Sequence, residues 1–475
     1  MELTDLALHE LTRLIAQRKI SPFEITSAYL TRIEHYDEAL HCFITLQAES
    51  ALQEARAAEA RLMRKRVLKP LFGIPLTLKD LIETRGVRTT AGSAFLADSV
   101  SFHDATVVMK LKRAGAISLG KTQMYEWALR ASGKNPTFGD CYNPWKAGYT
   151  PGGSSSGSAV AVAAHFCAGS LGTDTGGSIR IPAALCGVVG LKPTYGRVST
   201  QGVLPLSRSL DHVGVLAREV ADAALLFEAI AGYDPSDPFS LNTPVADYRY
   251  SLTTGIRGWR IGYCARPFLG PDEVVDVEIQ QAFQQALRVF EEQGMFVEEV
   301  TLPTGPEIRE LNGTILTVEA AEYHLERLQT HPEIFSPDVR ASLTNGLNIS
   351  VLAYARARQL QLIMRQQFEA FFQEFDLLLT PTTTIPAFRY DDVEAGRCSL
   401  SACTSAWNFT GLPALSLPCG FTSDGLPIGL QICGPAWAET ALLRAGYLYE
   451  QATTWHMRAP SLQARERNTL ARESM

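Results

Sequence analysis

A glycine-dense stretch constrains the fold of this chain more than any other feature of its sequence. Residues 148–202 hold 12 of the 36 glycines, although they are only 55 of the 475 residues. Glycine adopts backbone conformations that other residues avoid and lets other groups approach the main chain closely. In this stretch, loops rich in Gly, Ser and Thr surround one helix of small residues, predicted over Ser158–Ala168. We therefore expect a loop-rich functional region inside a larger globular protein.

Strand-like and helix-like segments alternate along the rest of the chain. Thr106–Ala114 is typical of a helix that ends at Gly115, and Ala116–Leu119 follows as a strand. The apolar segments Ala414–Cys419 and Ile428–Cys433 predict a hairpin. This alternation indicates an α/β protein. Further helices are predicted across residues 1–66, including Phe23–Tyr36 after an N-cap at Ser21 and Ala51–Arg66, and at 273–293, 336–375 and Glu439–Ala452.

Charge and cysteine content exclude several classes of protein. The 50 acidic residues outnumber the 43 Lys and Arg, which argues against a nucleic-acid binder because such proteins are normally basic. The nine cysteines include no C-x-x-C pair, so neither a zinc site nor a disulfide framework is indicated. The most apolar stretch, Ala159–Ala164, is far shorter than the ~18 residues of a membrane span, and the N-terminus does not resemble a signal peptide. We expect a cytoplasmic protein with no metal, no cofactor and no membrane contact.

Two short motifs match known patterns but lack the context that their chemistry needs. Residues 115–122 fit the P-loop pattern, which would make the chain a nucleotide-binding protein. A helix precedes this segment and a strand-like run replaces the loop, so we reject that interpretation. Residues 153–157 fit the nucleophile elbow with Ser155 at the centre, but no strand leads into them. None of the nine histidines lies in a segment of catalytic character.

Two serine-bearing loops stand out in the glycine-dense stretch. Ser154 and Ser178 lie 24 residues apart on either side of one helix. Successive N–H groups before Ser178 would suit stabilisation of an oxyanion. A serine nucleophile also needs a base, and Lys79 could serve if burial kept it neutral. The same residues are equally compatible with ordinary turns and with a charge at the end of a strand.

Three segments resemble the defining segments of the amidase signature family: Gly73–Asp80, Pro151–Ala159 and Gly172–Pro182. Further similarity runs from Cys186–Gly196 to Gly425–Gln431, so the resemblance covers essentially the whole chain. It implies one α/β domain over 1–475, with a mixed, twisted central sheet covered by helices on both faces. Within it, the resemblance implies N-terminal helices (1–66), a catalytic core (67–240), a substrate-shaping helical part (241–400) and returning core strands with a C-terminal helix (401–475).

The resemblance also implies a Ser–cisSer–Lys triad. Ser178 would be the nucleophile that becomes acylated, and Lys79 the neutral base. Ser154 would follow a cis peptide bond and relay protons between them. The main-chain N–H groups of the oxyanion hole would come from Thr175, Gly176, Gly177 and Ser178. Asp174, Arg180 and Ser155 would support these loops. A lysine base predicts activity that rises toward neutral and alkaline pH.

The branch of the family is less clear. In the ammonia-releasing subunit of glutamyl-tRNA amidotransferase, an arginine and an aspartate hold the charged groups of glutamine; this chain has Gln361 and Ala438 at the aligned places. Tyr125, Trp127 and Trp437 suggest an apolar or aromatic substrate wall, although each is also typical of a core. We expect a stand-alone hydrolase of a small-molecule amide, with esters and carbamates as further candidates and a homodimer as one option. The alternative is the amidotransferase subunit, which works with partner subunits.

Overall fold

One mixed sheet runs through the part of the chain that the computed structural model describes, residues 2–64 and 68–462. Its 11 strands follow the order β1-β3-β2-β4-β6-β5-β10-β11-β9-β7-β8. They are β1 (Phe43–Leu46), β2 (Pro75–Lys79), β3 (Ile117–Thr122), β4 (Ser170–Asp174), β5 (Val189–Lys192), β6 (His212–Ala217), β7 (Arg260–Tyr263), β8 (Phe296–Glu299), β9 (Leu377–Pro381), β10 (Ala414–Phe421) and β11 (Pro427–Cys433).

Helices cover both faces of this sheet. The α-helices are α1 (Leu8–Ala16), α2 (Pro22–Leu40), α3 (Ala48–Leu62), α4 (Thr106–Ala114), α5 (Ser156–Ala163), α6 (Arg180–Cys186), α7 (Val220–Ile230), α8 (Tyr248–Ser251), α9 (Val277–Glu292), α10 (Glu307–Tyr323), α11 (Leu325–Thr330), α12 (Pro337–Asn348), α13 (Val351–Phe371), α14 (Val393–Arg397), α15 (Ser405–Phe409) and α16 (Glu439–Ala452). Short 3-10 helices lie at Leu3–Asp5, Ala94–Leu96, Glu126–Ala128, Pro332–Ile334 and Trp455–Met457.

The centre of the sheet is buried on both faces. Every residue of β2, β4, β5, β6, β9, β10 and β11 is buried except Phe421 at the end of β10, which is half-buried. Strand β2 runs parallel to β3 and β4, whereas β4 runs antiparallel to β6. Helix α5 lies wholly in the core, because its Ser, Gly, Ala and Val side chains are small enough for close packing. The α/β fold with one mixed sheet is therefore confirmed.

The predicted helices and strands agree with the structure where local signals are strong. Helix α4 has the predicted bounds and ends at Gly115, whose φ of +93° is the left-handed conformation that glycine favours. Helix α16 also has its predicted bounds, and β10 pairs antiparallel with β11 as the hairpin. Ser21 caps α2 by accepting a hydrogen bond from the Glu24 N–H.

The small-residue helix predicted over Ser158–Ala168 is α5, which begins and ends earlier, at Ser156–Ala163. Two further segments differ in the kind of element. The N-terminal part is not all helical, because Phe43–Leu46 forms β1, which pairs with β3 at the edge of the sheet. The glycine-dense stretch contains strands β4 and β5 as well as loops, and long-range pairing with β6 holds both of them. The predicted helix end at Arg66 lies outside the described residues.

No helix in the described part of the chain combines the length and the hydropathy needed to cross a membrane. All nine cysteines are free thiols; Cys398 is exposed and Cys264 is half-buried, whereas the other seven are buried.

Candidate active site

A buried lysine at the end of β2 contacts two hydroxyl groups. The apolar residues of β2 carry Lys79 into the core, where its side chain is fully buried. Its Nζ donates to Ser154 Oγ at 2.8 Å and to Thr173 Oγ1 at 2.9 Å. No carboxylate lies within salt-bridge distance of this amine among the described residues. The lysine is therefore held by neutral partners.

Burial lowers the pKa of Lys79 to about 7, because the charged ammonium loses its solvation inside the protein. The negative charges of Asp174 and Asp211 oppose this shift without cancelling it. A substantial fraction of Lys79 is therefore a neutral amine at physiological pH, and a neutral amine can accept a proton.

Ser154 and Ser155 lie in the loop that leads into α5. The peptide bond between Gly153 and Ser154 is cis. Ser155 is fully buried; its N–H donates to the Ser178 carbonyl at 3.2 Å and its hydroxyl to the Thr173 carbonyl at 3.1 Å. Ser155 thus ties the two loops together and is not among the residues that line the cavity beside Ser178, which agrees with rejecting the nucleophile elbow.

Ser178 lies in the loop between β4 and α6. With Thr175 and Gly176, it lines a cavity of about 650 Å³. No hydrogen bond joins the hydroxyls of Ser154 and Ser178 among the described residues. The backbone of Gly177 has a φ of +129°, and a Cβ at this position would lie 2.2 Å from Thr404 Oγ1. Only glycine fits there.

A buried ion pair supports this loop. Arg180 donates to both carboxylate oxygens of Asp174, at 2.9 and 3.0 Å, and neither side chain is exposed. Asp174 also accepts hydrogen bonds from the N–H groups of Gly177 at 2.7 Å and Ile179 at 3.1 Å. Burial alone would raise the pKa of Asp174, but the Arg180 charge and its hydrogen bonds hold that pKa well below its usual value. Asp174 is therefore a charged anchor for the loop.

The main-chain N–H groups of the loop are not all free. The Gly177 N–H already donates a hydrogen bond to the Asp174 carboxylate. In contrast, no hydrogen bond of the described residues uses the N–H groups of Thr175, Gly176 or Ser178. These three donors are available to a ligand in the cavity.

Sequence reasoning missed several residues that hold this region together. Thr173 contacts Lys79, and Asp211 accepts from Thr175 Oγ1 at 2.6 Å. Burial raises the pKa of Asp211 to about 6. The side chains that complete the Arg180 hydrogen bonds come from distant segments and are Asn408 and Gln431, at 2.7 and 2.8 Å. A local sequence pattern cannot predict these contacts, because the residues are far apart in the sequence and come together only in the folded protein.

None of the four predicted pocket residues lines this cavity. Trp127 packs edge-on against His324, with ring centroids 4.4 Å apart. Gln361 donates to the Phe409 carbonyl at 2.7 Å.

Trp437 stacks on the Arg197 guanidinium at 4.5 Å. Tyr125 lines an adjoining cavity of about 720 Å³, which shares Leu129, Arg130, Ala131, Ser399 and Ser401 with the first.

The wall of the cavity beside Ser178 is more polar than expected. Its charged residues are Arg130, Arg309, Glu273, Glu307 and Glu310. Arg309 and Glu273 form an ion pair at 2.5 Å, with both side chains partly exposed. The expected aromatic wall is not found here, because none of the three aromatic residues lines this cavity.

The P-loop pattern has no phosphate-binding geometry. Lys121 lies within β3, next to its last residue, and is fully buried; it donates to Thr89 Oγ1 at 2.8 Å and lies 3.7 Å from the Asp80 carboxylate. Its position in a strand agrees with rejecting nucleotide binding. Within residues 2–64 and 68–462, no three His, Cys, Asp or Glu side chains are grouped to hold a metal ion.

Comparison with known proteins assigns the class. The family model Amidase matches residues 24–443. The chain therefore belongs to the amidase signature family and is a hydrolase of C–N bonds.

Individual relatives are similar over nearly their whole length. The A subunit of glutamyl-tRNA(Gln) amidotransferase from Moorella thermoacetica is 41% identical, with 97% of this chain and 99% of the relative covered. The peptide amidase PAM, solved with chymostatin, is 34% identical with a TM-score of 0.85, covering 96% of this chain and 99% of PAM. A chain of a vestigial complex that reveals the origins of an s-triazine catabolic enzyme is 33% identical, with a TM-score of 0.88 and coverage of 94% and 98%.

Proposed function

We propose that this protein hydrolyses an amide through an acyl-enzyme on Ser178, with Ser154 and Lys79 moving the protons. The observation that carries the proposal is the fully buried amine of Lys79, which lies 2.8 Å from Ser154 Oγ beside a cavity lined by Ser178. A serine hydroxyl is a weak nucleophile until a base takes its proton. Lys79, with its pKa lowered to about 7, is such a base near neutral pH.

Thr173 defines which part of the amine reacts. A neutral amine has two N–H groups and one lone pair. Thr173 Oγ1 accepts one N–H at 2.9 Å. The lone pair can then accept the hydroxyl proton of Ser154 across the 2.8 Å contact.

The reaction has two halves. Ser178 Oγ attacks the amide carbon as its proton passes to Ser154, whose own proton passes to Lys79. The tetrahedral intermediate collapses when Lys79 returns a proton through Ser154 to the leaving nitrogen, which departs as an amine or ammonia. Water then attacks the Ser178 ester with the same base and releases the carboxylic acid. The proton relay requires a hydrogen bond between the Ser154 and Ser178 hydroxyls, and catalytic hydrogen bonds commonly form fully only when substrate is bound.

Three N–H groups stabilise the oxyanion in this scheme. Those of Thr175, Gly176 and Ser178 are free, and they lie in the loop beside the nucleophile. The resemblance implied four donors, but the Gly177 N–H donates a hydrogen bond to the Asp174 carboxylate at 2.7 Å. The role of Gly177 is therefore to allow the loop backbone to pack closely against the Thr404 side chain, where a Cβ would not fit.

The substrate is a small-molecule amide, and esters and carbamates react by the same acyl-transfer steps. A stand-alone cytoplasmic hydrolase is the first candidate, and it rests on the sequence comparison alone, in which Gln361 and Ala438 stand where the subunit has charged partners for the α-amino and α-carboxylate groups of glutamine. Neither residue lines the cavity, whose own wall is charged. The second candidate is the glutaminase subunit of a tRNA-dependent amidotransferase. It is favoured by the 41% identity over nearly the full length of such a subunit.

The test is a panel of p-nitroanilides, primary amides, carbamates and esters, assayed with the isolated chain and without ATP. We expect hydrolysis by the wild type, none by Ser178→Ala, and a large loss in Lys79→Ala. The matched control is Ser155→Ala, which keeps the nucleophile. Full activity of Ser178→Ala would overturn the proposal. Glutaminase activity confined to a complex with co-purified subunits would select the second candidate.

A further inference from the structure

An asparagine in the catalytic cavity has no hydrogen-bond partner. Asn312 is only 3% exposed. Its Oδ1 is buried and unpaired, and among the described residues no hydrogen bond uses either atom of its amide. Buried polar groups in native proteins are nearly always paired, so an unpaired one calls for an explanation.

The helix that carries Asn312 places this residue in the wall of the cavity. Arg309, Asn312 and Leu316 lie on one face of α10 and line the cavity together. Ile308 and Ile315, on the adjoining stripe of the same helix, are fully buried in an apolar cluster. The helix is therefore fixed by its apolar face, and the Asn312 amide is held in place without bonds of its own.

Asn312 also lies beside the nucleophile loop. Its Nδ2 is 3.6 Å from the position that a Cβ would take on Gly176. Thr404 Oγ1 fixes Gly176 by donating to its carbonyl at 2.7 Å. A substrate whose carbonyl oxygen met the N–H of Gly176 would thus place its neighbouring atoms against Asn312.

We propose that Asn312 selects substrates that carry a second carboxamide or ureido group next to the scissile amide. This inference rests on the proposed function and names its substrate class. An asparagine side chain presents one donor and one acceptor in the same plane, whichever way the amide is turned. A second –C(=O)–NH– group is complementary to both atoms. The scissile carbonyl cannot fill this role, because its oxygen is bound by the loop N–H groups.

Matched substrates test the inference. The p-nitroanilides of malonamic and succinamic acid carry the second carboxamide. The p-nitroanilides of 3-methylbutanoic and 4-methylpentanoic acid have nearly the same shapes, with an isopropyl group in place of the carboxamide. For at least one of the two lengths, we expect the wild-type kcat/KM to favour the carboxamide by about tenfold or more, since a buried polar group left unpaired rejects an apolar analogue.

Asn312→Leu should abolish this preference. We expect mainly a rise in KM for the carboxamide substrates. The kcat for the isopropyl substrates should stay within about twofold of the wild-type value, because the oxyanion donors are unchanged. The matched control is Asn345→Leu, which changes an exposed asparagine of α12 outside the cavity and should keep the preference. Fluorophosphonate labelling of Ser178 in each variant shows that the site has folded.

Distinct results overturn distinct claims. Equal wild-type rates on both members of both pairs would overturn the inference alone, as would an unchanged preference in Asn312→Leu. An equal fall in kcat for both members of a pair would also overturn it, since that result assigns Asn312 to the oxyanion. If no anilide is hydrolysed and Ser178 is not labelled, the proposed function fails and the inference fails with it.

Discussion

Replacing Asp174 with asparagine should destabilise the whole protein as well as the active-site loop. Arg180 is fully buried, and Asp174 is the partner that neutralises its charge. Removing one partner of a buried ion pair costs about 3–5 kcal/mol, because the other charge stays buried and unpaired. The unfolding entropy of ~2.1 cal/mol/K per residue gives about 1 kcal/mol/K for 475 residues. The expected fall in Tm is therefore about 3–5 °C.

Thermal unfolding of purified Asp174→Asn by calorimetry measures this effect. The matched control is Glu298→Gln, which breaks the exposed Arg260–Glu298 pair at 2.8 Å and should shift the Tm by less than about 1 °C. The folded state lowers the pKa of Asp174, so its contribution to stability is present above the unfolded-state pKa of about 3.9 and declines as the pH falls below it. The difference in Tm between wild type and Asp174→Asn should therefore shrink progressively below about pH 4.

A Tm for Asp174→Asn within about 1 °C of the wild type at pH 7 would refute this reasoning. It would show that the hydrogen bonds from Arg180 to Asn408 and Gln431 stabilise its charge sufficiently without the Asp174 carboxylate. A difference that stayed constant from pH 7 to pH 3 would contradict the assigned charge state of Asp174.

Three further predictions concern the site itself. Because Lys79 must be neutral to act as the base, kcat/KM should rise by about tenfold per pH unit below its pKa of about 7 and level off above it; an acid optimum in the pH profile would contradict this. Thr173→Val removes the acceptor that orients Lys79 and should lower kcat by about tenfold in steady-state assays, whereas an unchanged kcat would remove Thr173 from the mechanism. Gly177→Ala places a Cβ 2.2 Å from Thr404 Oγ1 and should lower kcat by at least about 100-fold, measured beside a thermal melt that reports folding; wild-type kcat would show that the loop tolerates the methyl group.

Local signals account for much of the fold. Gly115 ends α4 because the left-handed conformation there suits glycine, and this position can be recognised without knowing the tertiary structure. Strand β1 could not be predicted in the same way. Its four residues, Phe43–Leu46, lie between two helices, and only pairing with β3 makes them a strand.

The candidate site likewise contains residues that could be predicted from the sequence and residues that could not. Lys79, Ser154 and Ser178 lie in segments that resemble the family, so their positions could be predicted. Asn408 meets Arg180 across 228 residues of sequence, and no local pattern carries that contact. The aromatic pocket prediction also depended on local residue type. Trp127 is buried against His324 and the half-buried Trp437 packs on Arg197 instead, because residue type alone does not determine which neighbours a ring contacts.

The most direct test of the account is to locate the acyl group in the reaction. The protein is mixed with an excess of a slowly hydrolysed amide, quenched in acid and digested, and the peptides are analysed by mass spectrometry. We expect an acyl group on Ser178 in the wild type and in Ser155→Ala, and none at neutral pH in Lys79→Ala. An acyl group on Ser155, or turnover of the amide by Ser178→Ala, would contradict the central claim.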